Sequence, residues 1–252
     1  MDRPPAEPGA RRRRRGRAET RHRLLGWLGV VALTLAAGAG PAVAEAAPEP
    51  AVQWPWSAVG RVLRDGGGPC SGVLIGPRTV LTVGHCVATR APWSPVPPER
   101  LSVRFVDADH AVAEVRLARA SPFRPNGRLG PVRHDWALLA LAEAPAEVAP
   151  VPYIGGEGAR LAFILDTALF KVGWTGGERR RDVACRVHRL DGAARAFSFA
   201  CPGGAGRGRS GSALLRRVGE RYEVVAVQSA EAKNRFTTVG IAVSPDRAVV
   251  AP

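Results

Sequence analysis

The sequence predicts an all-β protein arranged as two barrels. Short β-rich runs recur between Gly and Pro turns, no long stretch carries the 3.6-residue period of a helix, and one Pro-rich turn divides the runs into two sets. The first set comprises residues 58–63, 72–75, 79–82, 101–106, 111–117 and 136–141. The turn is Ala149-Pro150-Val151-Pro152. Beyond it follow 161–164, 169–174, 183–190, 196–201, 212–215, 222–228 and 237–243. Six and seven candidate strands around one linker suit two barrels, predicted over residues 54–148 and 149–252. A chain of this length has ample material for such cores.

The segment before the barrels reads as an address. Residues 1–44 begin with nine arginines against Asp2, Glu7 and Glu19. An uncharged apolar run opens at Leu24-Leu25-Gly26-Trp27-Leu28, and Pro41-Ala42-Val43-Ala44 precedes Glu45. This is the layout of a secretory signal peptide cut after Ala44, with residues 45–53 as a linker or arm. The rival is an uncleaved anchor, because no charge interrupts residues 24–44, a run of about twenty residues. Removal is favoured by the Ala, Gly and Pro content of its later half. Arg14-Arg15 lacks the apolar residues that follow a twin-arginine export pair. The expectation is a secreted or periplasmic protein, with no stable membrane insertion once the signal is gone.

Charge supports the same division. The chain holds 36 Lys and Arg against 22 Asp and Glu, a net +14, of which residues 1–44 carry +6 and leave +8 for the rest. The remaining arginines are scattered or form short clusters such as Arg179-Arg180-Arg181, with only two tyrosines in the chain to stack on bases. No nucleic-acid partner is expected.

Four cysteines in a chain bound for an oxidising compartment predict two disulfides, with three possible pairings. Sequence-near pairing joins Cys70 to Cys86 and Cys185 to Cys201, each worth about 3 kcal/mol in the chain-entropy model. Neither pair has Cys-x-x-Cys spacing, so no metal and no cofactor is expected.

Three segments carry chemistry. Cys70-Ser71-Gly72-Val73-Leu74-Ile75 reads as a strand, Gly76-Pro77-Arg78 as a turn and Thr79-Val80-Leu81-Thr82 as a second strand. Together they deliver His85 to a strand end beside Cys86, the fixed placement that a general base requires. Asp135 directly precedes the apolar run Trp136-Ala137-Leu138-Leu139-Ala140-Leu141. Taken alone it is an ordinary turn acid. Asp107 and Asp109 lie at similar distance from His85 without a following apolar run. His134 adjoins Asp135 but, on a strand, would face the other way. Ser210 sits in Gly206-Arg207-Gly208-Arg209-Ser210-Gly211-Ser212, immediately before the strand Ala213-Leu214-Leu215. Base, acid and nucleophile thus come in the order His, Asp, Ser, and that order differs among serine hydrolases of unrelated fold.

These segments resemble those of the chymotrypsin/trypsin serine protease superfamily. Leu81-Thr82-Val83-Gly84-His85-Cys86 is similar to its Leu-Thr-Ala-Ala-His-Cys motif, and Asp135 stands where that family places its orienting acid. Gly208-Arg209-Ser210-Gly211-Ser212 resembles Gly-Asp-Ser-Gly-Gly-Pro and, more closely, the Gly-x-Ser-Gly-Ser form of bacterial glutamyl endopeptidases. The resemblance implies two six-stranded antiparallel Greek-key barrels with the active site between them. It also implies a triad of His85, Asp135 and Ser210, and an oxyanion hole from the amides of Gly208 and Ser210. The expected activity is a serine endopeptidase acting as a monomer on protein or peptide substrates. The rival is a catalytically impaired homologue that binds peptides or a partner through the same cleft. An esterase is disfavoured, because Ser212 stands where Gly-x-Ser-x-Gly needs its second glycine.

Two departures bear on activation and specificity. Arg209 replaces the aspartate that, in trypsin-type enzymes, binds the amino terminus freed by zymogen cleavage, and no Ile-Val-Gly-Gly-like start lies near residues 51–60. Other contacts must therefore hold the loop. Gly204, six residues before the nucleophile, replaces the acid of trypsin's pocket floor, so a preference for Lys or Arg is not expected. The facing wall is read as Val227 with Gln228, Ser229 and Ala230, which leaves the pocket open and uncharged. Arg207 and Arg209 are candidates for favouring acidic substrates, or are solvated loop arginines.

Overall fold

The computed structural model describes residues 53–124, 130, 132–156, 164–175, 177–191, 195–202, 210–233 and 238–246. All of them belong to one unit spanning Pro48–Pro252. The first barrel contains β1 (Val59–Arg64), β2 (Cys70–Leu74) and β3 (Thr79–Thr82), then the one-turn helix α1 (Gly84–Val87). A two-stranded ribbon follows, β4 (Ala88–Thr89) with β5 (Ser94–Pro95), and then β6 (Leu101–Phe105), β7 (Ala108–Leu117) and β8 (Ala137–Leu141). The second barrel contains β9 (Leu169–Thr175), β10 (Glu178–Asp191), β11 (Ala196–Ala200), β12 (Ala213–Val218), β13 (Arg221–Lys233) and β14 (Thr238–Val243).

Each set closes on itself. The first runs β1-β2-β3-β8-β7-β6 and the second β10-β11-β14-β13-β12-β9, with every pairing antiparallel. Closure removes the unpaired sheet edges that invite association. The expected six strands of the first barrel are all present. Six of the seven runs expected for the second are strands. The seventh, 161–164, lies outside the described residues except for Ile164, which is buried in the second core rather than in a strand.

Strand patterning follows burial. β6 alternates Leu101, Val103 and Phe105 inward with Ser102 and Arg104 between them, the period-2 signature of a sheet with one buried face. β12 begins with three buried residues, Ala213-Leu214-Leu215, because it packs against both its own barrel and its neighbour. The larger core joins Val59, Val73, Leu81, Phe105 and Leu139 of the first barrel to Val172, Ala213, Leu215 and Val227 of the second. The barrels are thus fused by apolar burial worth about 1.5–3 kcal/mol per large side chain.

The 3-10 turn before β1, Trp56–Ala58, packs on the second barrel. Trp56 meets Tyr222 and Phe170 with ring centroids 5.1 and 5.8 Å apart, and the Arg181 guanidinium lies over the Trp56 ring. Both disulfides join sequence-near partners, Cys70 with Cys86 and Cys185 with Cys201. Among the described residues no helix is long and apolar enough to cross a membrane.

Candidate active site

β3 hands the chain through buried, extended Val83 to α1, which carries His85. Cys86 in the same turn is bonded to Cys70 at the start of β2, so the histidine is anchored from two sides. On β8's side, a 3-10 turn over Val132–His134 ends at Asp135, whose amide donates to the Val132 carbonyl at 2.8 Å.

Asp135 is fully buried and accepts three hydrogen bonds. The main-chain N–H of His85 reaches Oδ1 at 2.8 Å, His85 Nδ1 reaches Oδ2 at 2.7 Å, and the Ser229 hydroxyl donates to Oδ2 at 2.5 Å. Three donors on one carboxylate offset the cost of burying it. They also set the histidine tautomer: a carboxylate only accepts, so Nδ1 carries the hydrogen and Nε2 is left as an acceptor. Nε2 lies 3.0 Å from Ser210 Oγ, the distance of a hydrogen bond from the hydroxyl.

Ser210 is held from the first barrel. Its carbonyl accepts the Ser71 N–H at 2.7 Å, while the Ser71 carbonyl accepts the Thr82 hydroxyl at 2.6 Å and the Ser71 hydroxyl accepts the Trp174 N–H at 2.8 Å. Gly211 follows at φ +81°, and a Cβ there would strike the Ser71 carbonyl, so this position needs glycine twice over. On the other side the Gly211 N–H donates to the Gln228 carbonyl and the Gln228 N–H to the Ser212 carbonyl, both at 2.8 Å. These contacts hold residues 210–212 from both barrels.

The structure therefore brings together His85, Asp135, Ser210 and Ser229. Gln228 and Ala230 lie on β13 around a bulge, beside the nucleophile segment. Gly204, Arg207, Gly208 and Arg209 lie outside the described residues, and with them the predicted pocket floor and one oxyanion amide. Ser229 was expected as pocket wall, and its hydroxyl turns to Asp135. The signal for it is faint: two polar residues, Gln228-Ser229, end the apolar run Val224-Val225-Ala226-Val227. Ser71 had no signal beyond its place after Cys70.

Asp109 and His134 are engaged elsewhere. Asp109 makes a bidentate pair with Arg104 at 2.7 and 2.6 Å, which holds its carboxyl below the ordinary range. His134 belongs to the 3-10 turn, not to a strand, and takes a hydrogen bond from Arg133 at 3.1 Å. Burial and then the Arg133 charge push its pKa down. Among the described residues Cys70, His85 and Cys86 cluster closely enough to suggest a metal site, but both sulfurs are committed to a disulfide.

Two closed antiparallel barrels with a Ser, a His and a buried Asp in hydrogen-bond sequence define a serine hydrolase of the double-barrel class. The chain belongs to the trypsin-like peptidase family, whose domain model matches residues 70–227. It is thus a peptidase. Among 1116 matching chains of solved structures, one described as a Glu endopeptidase in complex with MPD superposes with a TM-score of 0.58 at 21% identity. That superposition covers 78% of this chain and 88% of the other. A search of curated proteins finds no match.

Proposed function

We propose that this chain is an exported serine endopeptidase in which Ser210 attacks a peptide carbonyl, His85 relays the proton and Asp135 orients His85. The observation that carries this reading is the continuous chain of bonds from Ser210 Oγ through the imidazole to a buried carboxylate. Nε2 takes the hydroxyl proton as the C–O bond forms, and the acquired positive charge faces Asp135. The same proton then passes to the leaving amine, and water repeats the cycle on the acyl-enzyme. Amides of Gly208 and Ser210 are assigned to the developing oxyanion by family resemblance.

Export is supported by the Arg-rich, apolar and Ala-x-Ala-like order of residues 1–44 and by two disulfides in the barrels. We keep residues 45–53 as a linker, 54–148 and 149–252 as the barrel domains, and a monomer acting on proteins or peptides as the working unit.

A fluorophosphonate probe tests the assignment. Wild-type chain should be labelled at Ser210 and should digest casein at neutral pH, with Ser210→Ala abolishing both and His85→Ala abolishing turnover. Folded wild-type chain that resists the probe and leaves casein intact would overturn the proposal.

A further inference from the structure

Gly84 stands where the resembled motif carries alanine, and Trp93 accounts for the difference. Gly84 opens α1, and Trp93 ends the turn between β4 and β5, which folds its indole back against α1. A Cβ on Gly84 would lie 2.9 Å from the Cζ2 and Cη2 carbons of that indole and 3.2 Å from the Trp136 carbonyl oxygen. Carbon atoms in contact stand about 3.5–4.0 Å apart. The ring edge therefore fills the space that an alanine methyl would need.

The indole is fixed on its other side. Its Nε1–H donates to the Ala118 carbonyl at 3.1 Å, and the Ala118 N–H donates to the Trp136 carbonyl at 3.2 Å. That carbonyl is the one that borders Gly84. Phe123 meets the indole with ring centroids 5.9 Å apart, and the Arg90 guanidinium lies over the Phe123 ring. A ring held by its N–H and by a second ring does not swing aside as a free side-chain end does.

The neighbours in sequence give this contact its meaning. Gly84 precedes His85, and Trp136 follows Asp135. From within, Asp135 Oδ1 accepts the His85 main-chain N–H at 2.8 Å and Oδ2 accepts from Nδ1 at 2.7 Å. Trp93 clasps the same two segments from the far side, through Gly84 on one and through Ala118, bonded to Trp136, on the other.

We infer that Trp93 is a positioning residue for the triad, its indole seated on Gly84 and setting how His85 faces Asp135 and Ser210. The inference rests on the hydrolytic reading above. Nε2 lies 3.0 Å from Ser210 Oγ, and a misplacement of about 1 Å at reacting atoms costs about 10²-fold in rate. A residue that acts only through His85 changes kcat alike on every substrate. One that lines a substrate subsite changes KM, and changes it unequally.

The test is kinetic, on the full chain with peptides that differ in the residue before the scissile bond. Trp93→Ala should lower kcat about 100-fold on all of them, with KM within about threefold of wild type. Gly84→Ala should lower kcat at least about tenfold by overpacking. Phenylalanine has no atoms where Cζ2 and Cη2 sit, so adding Trp93→Phe to Gly84→Ala should recover at least about tenfold. That rescue decides the matter if Trp93→Ala does not fold. The NMR signal of the His85 Nδ1 hydrogen reads the bond to Asp135 without turnover, and Trp93→Ala should shift or abolish it. A folded Trp93→Ala variant that keeps more than about a tenth of wild-type kcat, a loss carried by KM, or a failed rescue would overturn the inference. Chain that labels and cleaves with any of those results removes this brace alone. Chain whose Nδ1 signal depends on Trp93 but which neither labels nor cleaves removes the hydrolytic reading instead.

Discussion

Asp135→Asn probes the proposed relay where its geometry is most constrained. Three donors converge on Asp135: the His85 N–H, His85 Nδ1 and the Ser229 hydroxyl. Asparagine offers one accepting oxygen and one NH2 group. The main-chain N–H cannot give up its hydrogen, whereas the hydroxyl can rotate and the imidazole can change tautomer. The oxygen therefore stays with the His85 N–H, Ser229 turns to accept, and the NH2 faces Nδ1, which must become an acceptor. Its hydrogen moves to Nε2, 3.0 Å from Ser210 Oγ. A donor in that place cannot take the serine proton. Wrong-tautomer substitutions of this kind lower kcat about 10⁴-fold, or about 5.5 kcal/mol in activation free energy. Shape and volume are kept, so stability should change by no more than about 3 kcal/mol, the upper range for one hydrogen bond to a charged group. The assay is kcat on a fluorogenic peptide together with the rate of fluorophosphonate labelling, with thermal unfolding to confirm the fold. A folded Asn variant that keeps more than a tenth of wild-type kcat would refute the tautomer argument.

Gly211→Ala forces a side chain into φ +81° and against the Ser71 carbonyl; the conformation alone costs about 1–2 kcal/mol, and urea unfolding should show a larger total loss together with lost labelling. Replacing Cys70 and Cys86 by serine opens the loop that carries His85 and should lower stability by about 3 kcal/mol, read as a fall in urea midpoint. His134 is held below its ordinary pKa by burial and by Arg133. The unfolded chain therefore binds this proton first as pH falls, and stability drops from about pH 6.5 downward. His134→Gln should flatten that part of a stability-versus-pH curve, and an unchanged slope would count against it.

Much of the fold was legible because barrel strands announce themselves locally. β3 occupies residues 79–82 as expected, and β6 shows its alternation within five residues. The long strands were under-read. β10 starts at Glu178, five residues before the predicted 183, because Arg179-Arg180-Arg181 has no apolar residue. Its pairing with β9 is accompanied instead by Arg179 over Trp174 across the β9–β10 hairpin, and Arg181 reaches Trp56, 125 residues earlier in the chain. β13 runs on to Lys233 through a bulge at Gln228–Ala230 that no turn residue signals. The ribbon of β4 and β5, two residues each, is too short to carry a pattern.

At the site, His85 and Ser210 were readable because each sits in a short segment with its own strand context, and Asp135 mainly through its place relative to them. Ser229 and Ser71 were not. Their contacts to Asp135 and Ser210 span 94 and 139 residues, and neither residue type distinguishes a held hydroxyl from a solvated one. Closing two barrels is what brings them within reach.

Ser71 belongs to the first barrel and holds the carbonyl of Ser210 from the second, while its hydroxyl binds β9 through Trp174. Placement of the nucleophile and docking of the barrels are therefore one event. A newly made chain with either barrel unformed lacks the grip on Ser210 and cannot align the proposed relay. On the proposed reading, competence to cut requires both barrels formed and docked, the state in which the chain's own strands are paired and closed to attack. For a protease made among copies of itself, that requirement limits self-digestion.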